Sequence, residues 1–432
     1  MYKPDMNKIR EFEYSLDREK IKDLFAAAGI NPDFEKNPCP VCGKYSLEVR
    51  RVKQGDSEIY QWSCGNCLNY GGVYDLLAAL KGDIHKRSVD FGKMVDLTDY
   101  MERRFDSDIK YFAKYKDRKT GFSNLDEYLT LYPGLMVIGG AASVGKTTFV
   151  VNVCDNLARK GEHVVYFSLE QDSMEIVTKL IARRVFEADP ETSIDNIQVK
   201  NGSREPAVME ARSRVQKELK TFRVFAGNFC ITVNDIMNQV NAYMDECKAR
   251  PIVVVDYLQL IAPTQEMISR HAQTKEIIDE NIKALKKWQK ENELLLILIS
   301  SFNRSNYNEP VSYAAFKESG AIEYTADYLL GLQLSVLENP DYYIAKGTNR
   351  KTTDKERYDM ITKAQKENPK QVEVKFLKNR NGKQSFETFF YYHNRNDVFR
   401  VSADDPRGYS MNYDGSREEE NPFETDIDDD YI

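Results

Sequence analysis

The sequence has no long hydrophobic run, and this absence limits the class of protein. Its longest aliphatic stretch, residues 294–299, is far shorter than the roughly 20 apolar residues that cross a bilayer. The N-terminus also lacks an apolar segment behind a basic start, so we expect no secretory signal. With 41% hydrophobic and 30% charged residues, the composition predicts a globular cytoplasmic protein without a membrane partner.

The chain also lacks an excess of positive charge, but the distribution of charge is more informative than the total. The formal net charge is −7. Residues 403–432 contain eleven Asp or Glu and two Arg, a balance of −9, so the rest of the chain carries the difference, about +2. The acidity therefore belongs to the C-terminal tail, and the total charge does not exclude nucleic acid as a partner.

Composition and patterning divide the chain into five segments. The sequence predicts an N-terminal helical segment (1–36), a cysteine-bearing module (37–80), a charged linker (81–119), a main domain (120–400) and an acidic tail (401–432). The tail has few aliphatic residues to bury, so we expect it to be disordered.

Short apolar runs alternate with helical patterns in the main domain. Near-continuous apolar runs are typical of parallel strands that are covered on both faces. The predicted strands are 135–140, 163–169, 252–256 and 294–300, and the predicted helices are 147–160 and 274–291. This alternation predicts an α/β fold with an open, mainly parallel sheet, whose ligands bind beyond the carboxyl ends of the strands.

Residues 140–147, which we call the phosphate loop, read GAASVGKT and match GxxxxGK[ST] between a predicted strand and a predicted helix. Glycines in such a loop let backbone N–H groups surround phosphate oxygens, and the helix N-terminus favours their charge. Lys146 would neutralise the β- and γ-phosphates, and Thr147 would bind Mg²⁺. The candidate nucleotide-binding residues are Gly140, Ala141, Ala142, Ser143, Val144, Gly145, Lys146, Thr147 and Thr148. The loop therefore predicts binding of ATP with Mg²⁺.

Two acidic residues follow predicted strands of the same sheet. Asp256 ends the run IVVVD and is a candidate magnesium ligand, and Glu170 follows VVYFSL and is a candidate for orienting the attacking water. Taken singly, an acid at a strand end is also an ordinary helix cap. Together with the phosphate loop, the two carboxylates predict hydrolysis of a nucleoside triphosphate.

Lys378 and Arg380, which we call the cation pair, precede a turn at Asn381-Gly382. Residues two apart on a strand point to one face, and we see no acidic partner near them in the sequence. A cation supplied by a neighbouring subunit often stabilises the γ-phosphate in phosphoryl transfer. The alternative is two solvated cations at the end of a strand, and the residues alone do not separate these interpretations.

Several further motifs occur in order and carry a resemblance. They are TGFSNLDEYL (120–129), FSLEQDSMEIVTKLIARR (167–184), VVVDYLQL (253–260), ISSFNR (299–304), KESGAIEYTAD (317–327) and KNRNG (378–382). With the phosphate loop, they resemble the ATPase domain of DnaB-type hexameric replicative helicases over roughly residues 118–400. The resemblance implies a RecA-like P-loop NTPase domain. It also implies roles as catalytic glutamate for Glu170, magnesium ligand for Asp256 and trans-acting cations for Lys378 and Arg380.

The resemblance also implies partners. Members of this family form homohexameric rings that move along single-stranded DNA, and Lys317, Glu318 and Gly320 match the loop that holds DNA phosphates. Arg304 is a further candidate DNA contact. The chain departs from the family at Ser301, where a glutamine is usual, and we expect the helical N-terminal domain of the family to be absent.

Four cysteines form two Cys-x₂-Cys pairs, a spacing that is typical of a closed tetrahedral zinc site with four thiolate ligands. The ligands would be Cys39, Cys42, Cys64 and Cys67. The residues between the pairs alternate like two antiparallel strands, which predicts a zinc ribbon. NPCPVCGKYSL and WSCGNCLNYGGVYDLL are similar to the zinc-binding module of primases and phage primase-helicases. Basic residues and the aromatic Tyr60 and Trp62 suggest DNA contact, although these rings would equally wall the metal site.

The sequence leaves some questions of function open. The acidic tail would hold a primase, polymerase or loader with a basic surface, or it would only increase solubility. A RadA-like recombination ATPase and a DNA-binding ATPase scaffold that does not unwind are alternatives to a helicase. The layout suggests a phage or mobile-element replication system.

Overall fold

The computed structural model describes residues 37–38, 45–54, 57–64, 70–71, 94–227, 230–316 and 320–402. The chain divides into two compact units, residues 1–104 and residues 105–432. Among the described residues, none of the helices combines the length and the apolar character needed to cross a membrane.

The first unit contains a four-stranded antiparallel sheet with the order β1-β2-β3-β4. Its elements are Asn37–Pro38 (β1), Tyr45–Gln54 (β2), Ser57–Cys64 (β3), Tyr70–Gly71 (β4) and the helix Leu97–Arg103 (α1). In the long hairpin Leu47 lies opposite Cys64 and Gln54 lies opposite Ser57. The two strands expected between the cysteine pairs are therefore present and pair with each other.

The second unit is built on a nine-stranded sheet with the order β13-β12-β11-β10-β5-β9-β8-β6-β7. Its strands are Gly134–Gly140 (β5), Val164–Ser168 (β6), Phe222–Ala226 (β7), Ile252–Asp256 (β8), Leu295–Ser301 (β9), Tyr328–Leu334 (β10), Lys370–Asn379 (β11), Glu387–His393 (β12) and Val398–Val401 (β13). The strands from β10 to β7 are parallel, whereas β11, β12 and β13 extend the sheet as an antiparallel edge. The predicted α/β fold with a mainly parallel sheet is confirmed.

Helices cover both faces of this sheet. They are Phe105–Ala113 (α2), Ser123–Asp126 (α3), Lys146–Arg159 (α4), Ser173–Ala188 (α5), Asn196–Lys200 (α6), Pro206–Glu218 (α7), Val233–Cys247 (α8), Gln265–Ser269 (α9), Thr274–Asn292 (α10), Gly320–Thr325 (α11), Pro340–Tyr343 (α12) and Asp354–Lys366 (α13). Helices 147–160 and 274–291 were predicted, and α4 and α10 agree with them to within one residue.

Each central strand contributes to two hydrophobic cores. In β5, Met136 and Ile138 face the core that includes α4, whereas Leu135 and Val137 face the core that includes α10. Alternate residues of a strand point to opposite faces, and since both faces of the sheet are covered, all four side chains are buried. This two-sided burial explains why the strand sequences are continuous apolar runs.

Candidate active site

The phosphate loop connects the end of β5 at Gly140 to the start of α4 at Lys146. Gly145 has φ 97°, in the left-handed region that glycine adopts without steric cost. A Cβ at this position would lie 2.7 Å from the ring of Tyr392. The loop therefore requires glycine here, and it places the N-terminus of a long helix where phosphates are expected to bind.

Lys146 lies across this loop. Its Nζ donates a hydrogen bond to the backbone oxygen of Ala141 at 2.8 Å. Burial lowers the pKa of Lys146 to about 8, and the negative charges of Asp256 and Glu170 oppose this shift. The ammonium group is thus partly buried, and a bound anion would stabilise its charged form.

Thr147 and Asp256, the two predicted magnesium ligands, are in direct contact. Asp256 Oδ2 accepts hydrogen bonds from Thr147 Oγ1 and from the hydroxyl of Tyr166, both at 2.8 Å. Burial raises the pKa of Asp256, and the hydrogen bonds from Tyr166 and Thr147 oppose that rise. A carboxylate beside a hydroxyl at the start of the phosphate loop is a set of hard oxygen ligands that fits Mg²⁺.

Glu170 lies two residues beyond the end of β6 and is exposed. Strands β6 and β8 are parallel neighbours, and the N–H of Leu169 donates to the backbone oxygen of Asp256 at 2.7 Å. The charge of Glu170 acts on the pKa values of both Lys146 and Asp256. Glu170 therefore lies close enough to Lys146 and Asp256 for its charge to act on both, while its role with the attacking water stays a prediction.

Thr148 has a different environment from the one expected of a nucleotide ligand. Its side chain is buried, and Oγ1 donates to Asp397 Oδ1 at 3.0 Å. Lys179 Nζ donates to the same carboxylate oxygen at 2.7 Å. In this structure the hydroxyl of Thr148 thus links α4 to the turn before β13.

The cation pair lies at the opposite end of the sheet from the phosphate loop. Strand β11 is antiparallel to β10, and Tyr328 pairs both with Asn379 of β11 and with Met136 of β5, whereas Leu332 pairs with Gly140. Arg380, which follows β11, is level with Asp327. Five residues of strand separate Asp327 from Leu332, roughly 17 Å at the usual rise of a strand. Arg380 is therefore far from its own phosphate loop, and Lys378, which pairs with Leu329, donates to Glu323 at the same end of the sheet.

The sequence shows no acidic residue close to the cation pair, but in the structure Arg380 has an acidic partner from a distant part of the chain, Asp327. The Nη1 of Arg380 lies 3.0 Å from Asp327 Oδ1, while 51% of its side chain remains exposed. Lys378 Nζ donates to the backbone oxygen of Glu323 at 2.7 Å. The sequence also predicts both residues on one strand, but β11 ends at Asn379. Sequence reasoning missed Asp327 because the pairing of β10 with β11 brings it in from a distant part of the chain.

The predicted DNA-contacting residues are only partly described. Lys317 and Glu318 lie outside the described residues, and Gly320 is the first residue of α11. Arg304 is exposed in the 3₁₀ turn Arg304–Asn306, which follows β9.

Ser301, which departs from the family pattern, is the last residue of β9. The side chain of Gln259 reaches this strand from the 3₁₀ turn Leu258–Leu260, where Nε2 donates to Ser300 Oγ at 3.0 Å. Sequence reasoning missed Gln259, although its position three residues after Asp256 indicates that it lies at the same edge of the sheet.

The predicted zinc ligands lie almost wholly outside the described residues. Cys39, Cys42 and Cys67 are not described, and Cys64 is described only as the last backbone position of β3. In the part of the chain that the structure describes, no group of three or more His, Cys, Asp or Glu side chains has the arrangement of a metal site. Trp62 is 3% exposed, so the suggestion that its ring stacks on DNA bases is wrong for this conformation.

The chain is similar in sequence to known helicases. The sequence model of the family described as "DnaB-like helicase C terminal domain" matches residues 118–398. The replicative DNA helicase DnaB of Geobacillus stearothermophilus is 26% identical over 270 residues, which are 61% of this chain and 55% of that protein. The chain spans about half the length of the curated relatives that it matches.

Solved structures show the same fold. The ATPase domain of G40P superposes with a TM-score of 0.55 at 21% identity, covering 72% of this chain and all of that one. A DnaB-like replicative helicase, whose structure was reported with its interactions with primase, gives a TM-score of 0.54 at 19% identity and covers 76% of this chain and 70% of its own. At these identities the likeness shows a shared RecA-like fold.

Proposed function

Because the chain belongs to the family of DnaB-like helicase C-terminal domains through residues 118–398, we propose that it is an ATP-dependent DNA helicase of replication. The observation that carries this proposal is the contact of Thr147 with Asp256 beside the phosphate loop. The family match favours a helicase over a RadA-like recombination ATPase.

Each residue of the site has a role in hydrolysis under this proposal. The phosphate loop binds the triphosphate, and Lys146 stabilises the charge of the phosphates. Thr147 and Asp256 would hold Mg²⁺, and the bound ion would supply positive charge beside the phosphates. Glu170 orients the attacking water, and its exposure leaves the carboxylate accessible to that water.

The position of the cation pair supports an assembly in which subunits share their sites. Strand β11 runs antiparallel to β10, and its last residues carry Lys378 and Arg380 away from their own phosphate loop. We infer that they act on the triphosphate of an adjacent subunit, which requires a closed ring or a filament. A homohexameric ring around single-stranded DNA is the assembly that the family resemblance implies.

The remaining partners are proposed from the sequence. Lys317, Glu318, Gly320 and Arg304 would contact single-stranded DNA. The cysteine-bearing module would hold Zn²⁺ as a ribbon of primase type and contact DNA or protein. The acidic tail, residues 401–432, would hold a primase, polymerase or loader through a basic surface.

A forked-DNA unwinding assay tests the proposal. The wild-type chain should separate the strands with ATP and Mg²⁺, and Lys146→Ala should lose both unwinding and hydrolysis while it remains folded. If the wild type binds DNA and hydrolyses ATP without separating strands, it is an ATPase scaffold and the helicase proposal is wrong.

A further inference from the structure

Asp327 lies between α11 and β10 and contacts three separate parts of the second unit. Its Oδ2 accepts a hydrogen bond from the backbone N–H of Leu135 at 2.8 Å and forms an ion pair with Lys286. Its Oδ1 lies 3.0 Å from Nη1 of Arg380. The carboxylate is therefore held by the start of strand β5 and by helix α10, and it holds the guanidinium of Arg380.

The backbone of Asp327 reinforces the same connection. Its N–H donates to the oxygen of Leu135 at 2.8 Å, and its own oxygen accepts from the N–H of Arg380 at 3.0 Å. Arg380 is thus fixed to Asp327 at two points, one on the main chain and one on the guanidinium. Asp327 is 9% exposed, so the anchor is rigid while the guanidinium that it holds remains half exposed.

The contact leaves part of the guanidinium available. Among the described residues, Asp327 Oδ1 is the one hydrogen-bonding partner of the Arg380 side chain, through one of its five N–H groups. The single negative charge of Asp327 faces two cations, Lys286 and Arg380, so it only partly neutralises the guanidinium of Arg380. Arg380 is therefore oriented but still able to bind a phosphate.

We propose that Asp327 is a positioning residue that holds Arg380 in the conformation in which it reaches the triphosphate of an adjacent subunit. This inference rests on the proposed trans action of Arg380. A long arginine side chain loses conformational entropy when it binds a phosphate. An anchor that restricts the side chain before binding lowers this entropy cost. Misplacing a catalytic cation by about 1 Å can cost about 10²-fold in rate.

Asp327→Asn removes the charge and changes the volume little. We expect kcat for ATP hydrolysis to fall by about 10–100-fold, while the dissociation constant for a nucleotide stays within about twofold. In an Arg380→Ala background the same substitution should have no further effect on kcat, because its effect acts through Arg380. Glu356→Gln is the matched control, since Glu356 pairs with the exposed Arg350 on the solvent side of α13.

Mixed assemblies separate positioning from a folding defect. Lys146→Ala subunits keep an intact Arg380 but cannot hydrolyse ATP, whereas Asp327→Asn subunits keep an intact phosphate loop. Mixing the two should recover turnover, because the Asp327→Asn loop can sit beside an intact Arg380. A subunit that is merely misfolded would not be rescued in this way. Asp327→Glu, which keeps the charge but is one methylene longer, takes the place of Asp327→Asn if that variant does not fold.

The same mixing with Arg380→Ala distinguishes the two levels of the argument. If Lys146→Ala recovers turnover with Arg380→Ala but not with Asp327→Asn, the role of Asp327 is wrong and the trans action of Arg380 stands. If neither mixture recovers turnover although subunits exchange, the trans action itself is wrong. Wild-type kcat in Asp327→Asn, or losses that multiply in the double variant, would also overturn the role of Asp327.

Discussion

At the residue scale, the position of the Asp256 carboxylate depends on two hydroxyl groups. Thr147 belongs to the phosphate-loop motif, but Tyr166 belongs to no motif and lies on the neighbouring strand β6. Tyr166 is fully buried, and burial and then the nearby charge of Asp256 raise the pKa of its hydroxyl, which remains a donor at neutral pH. Tyr166 therefore fixes the orientation of a carboxylate that is proposed to bind Mg²⁺.

Tyr166→Phe should remove the hydrogen bond that orients the Asp256 carboxylate, while every proposed Mg²⁺ ligand stays in place. We expect a loss of about 10–100-fold in Mg²⁺ affinity or turnover, the usual effect of removing a group that orients a metal ligand. Titrating Mg²⁺ in a steady-state ATPase assay measures this effect. Tyr243→Phe is the control, because its hydroxyl contacts His163 away from the site. An unchanged Mg²⁺ titration in Tyr166→Phe would show that Thr147 alone suffices.

At the scale of helices, α5 is joined to α4 by a buried group of charges. Asp155 of α4 is fully buried and accepts from Arg183 at 2.8 Å and from Arg184 at 2.6 Å. Burial raises the pKa of Asp155, and the two arginines oppose that rise. Since α4 follows the phosphate loop, this ion group also fixes α5 relative to the site.

Asp155→Asn would remove the buried carboxylate that Arg183 and Arg184 share, and leave them the partly exposed Glu187 and Glu218 as acidic partners. Breaking a buried ion pair by removing one partner costs about 3–5 kcal/mol. Because both arginines keep another acidic partner, we expect a loss at the lower end of this range in the free energy of unfolding. Chemical denaturation followed by circular dichroism provides the measurement. Glu175→Gln removes the exposed ion pair with Lys200 and should cost less than about 1 kcal/mol. Equal losses in the two variants would contradict the structural role assigned to Asp155.

The elements that sequence reasoning found are those whose pattern is local. Strands β5, β6, β8 and β9 are buried on both faces, and this produces the apolar runs that identify them. The bounds of β11, β12 and β13 were not predicted, because residues such as Lys375 and Arg400 interrupt the hydrophobic pattern of an edge. Strand β10 is fully buried but includes Gly331 and Gln333, which obscure its pattern.

The candidate site shows the same division. Lys146 and Thr147 were predicted because a contiguous motif fixes their spacing, and Asp256 because it ends a recognisable strand. Tyr166 and Asp327 were missed, since each acts through a partner far away in the sequence. Their contacts follow from the pairing of β6 with β8 and of β10 with β11. No local pattern in one sequence specifies such pairings.

At the scale of the whole molecule, the chain consists of two units with separate candidate sites. The phosphate loop, Asp256 and the cation pair all belong to residues 105–432, whereas the four proposed zinc ligands belong to residues 1–104. A structural zinc site contributes directly to the folding of the module that contains it. Removal of zinc should therefore act on the first unit and leave nucleotide binding by the second unchanged.

Metal analysis of the purified chain tests this separation. We expect one Zn²⁺ per chain, and Cys39→Ser or Cys64→Ser should lose it because a site with three thiolates binds zinc more weakly. Cys230→Ser is the matched control, since Cys230 is an exposed cysteine of the second unit. A chelator should lower the unfolding temperature of the first unit only, with the affinity for a fluorescent nucleotide unchanged. If Cys39→Ser and Cys64→Ser retain zinc but Cys230→Ser loses it, the metal belongs to the second unit. If the chelator also removes nucleotide binding, the two units depend on one another.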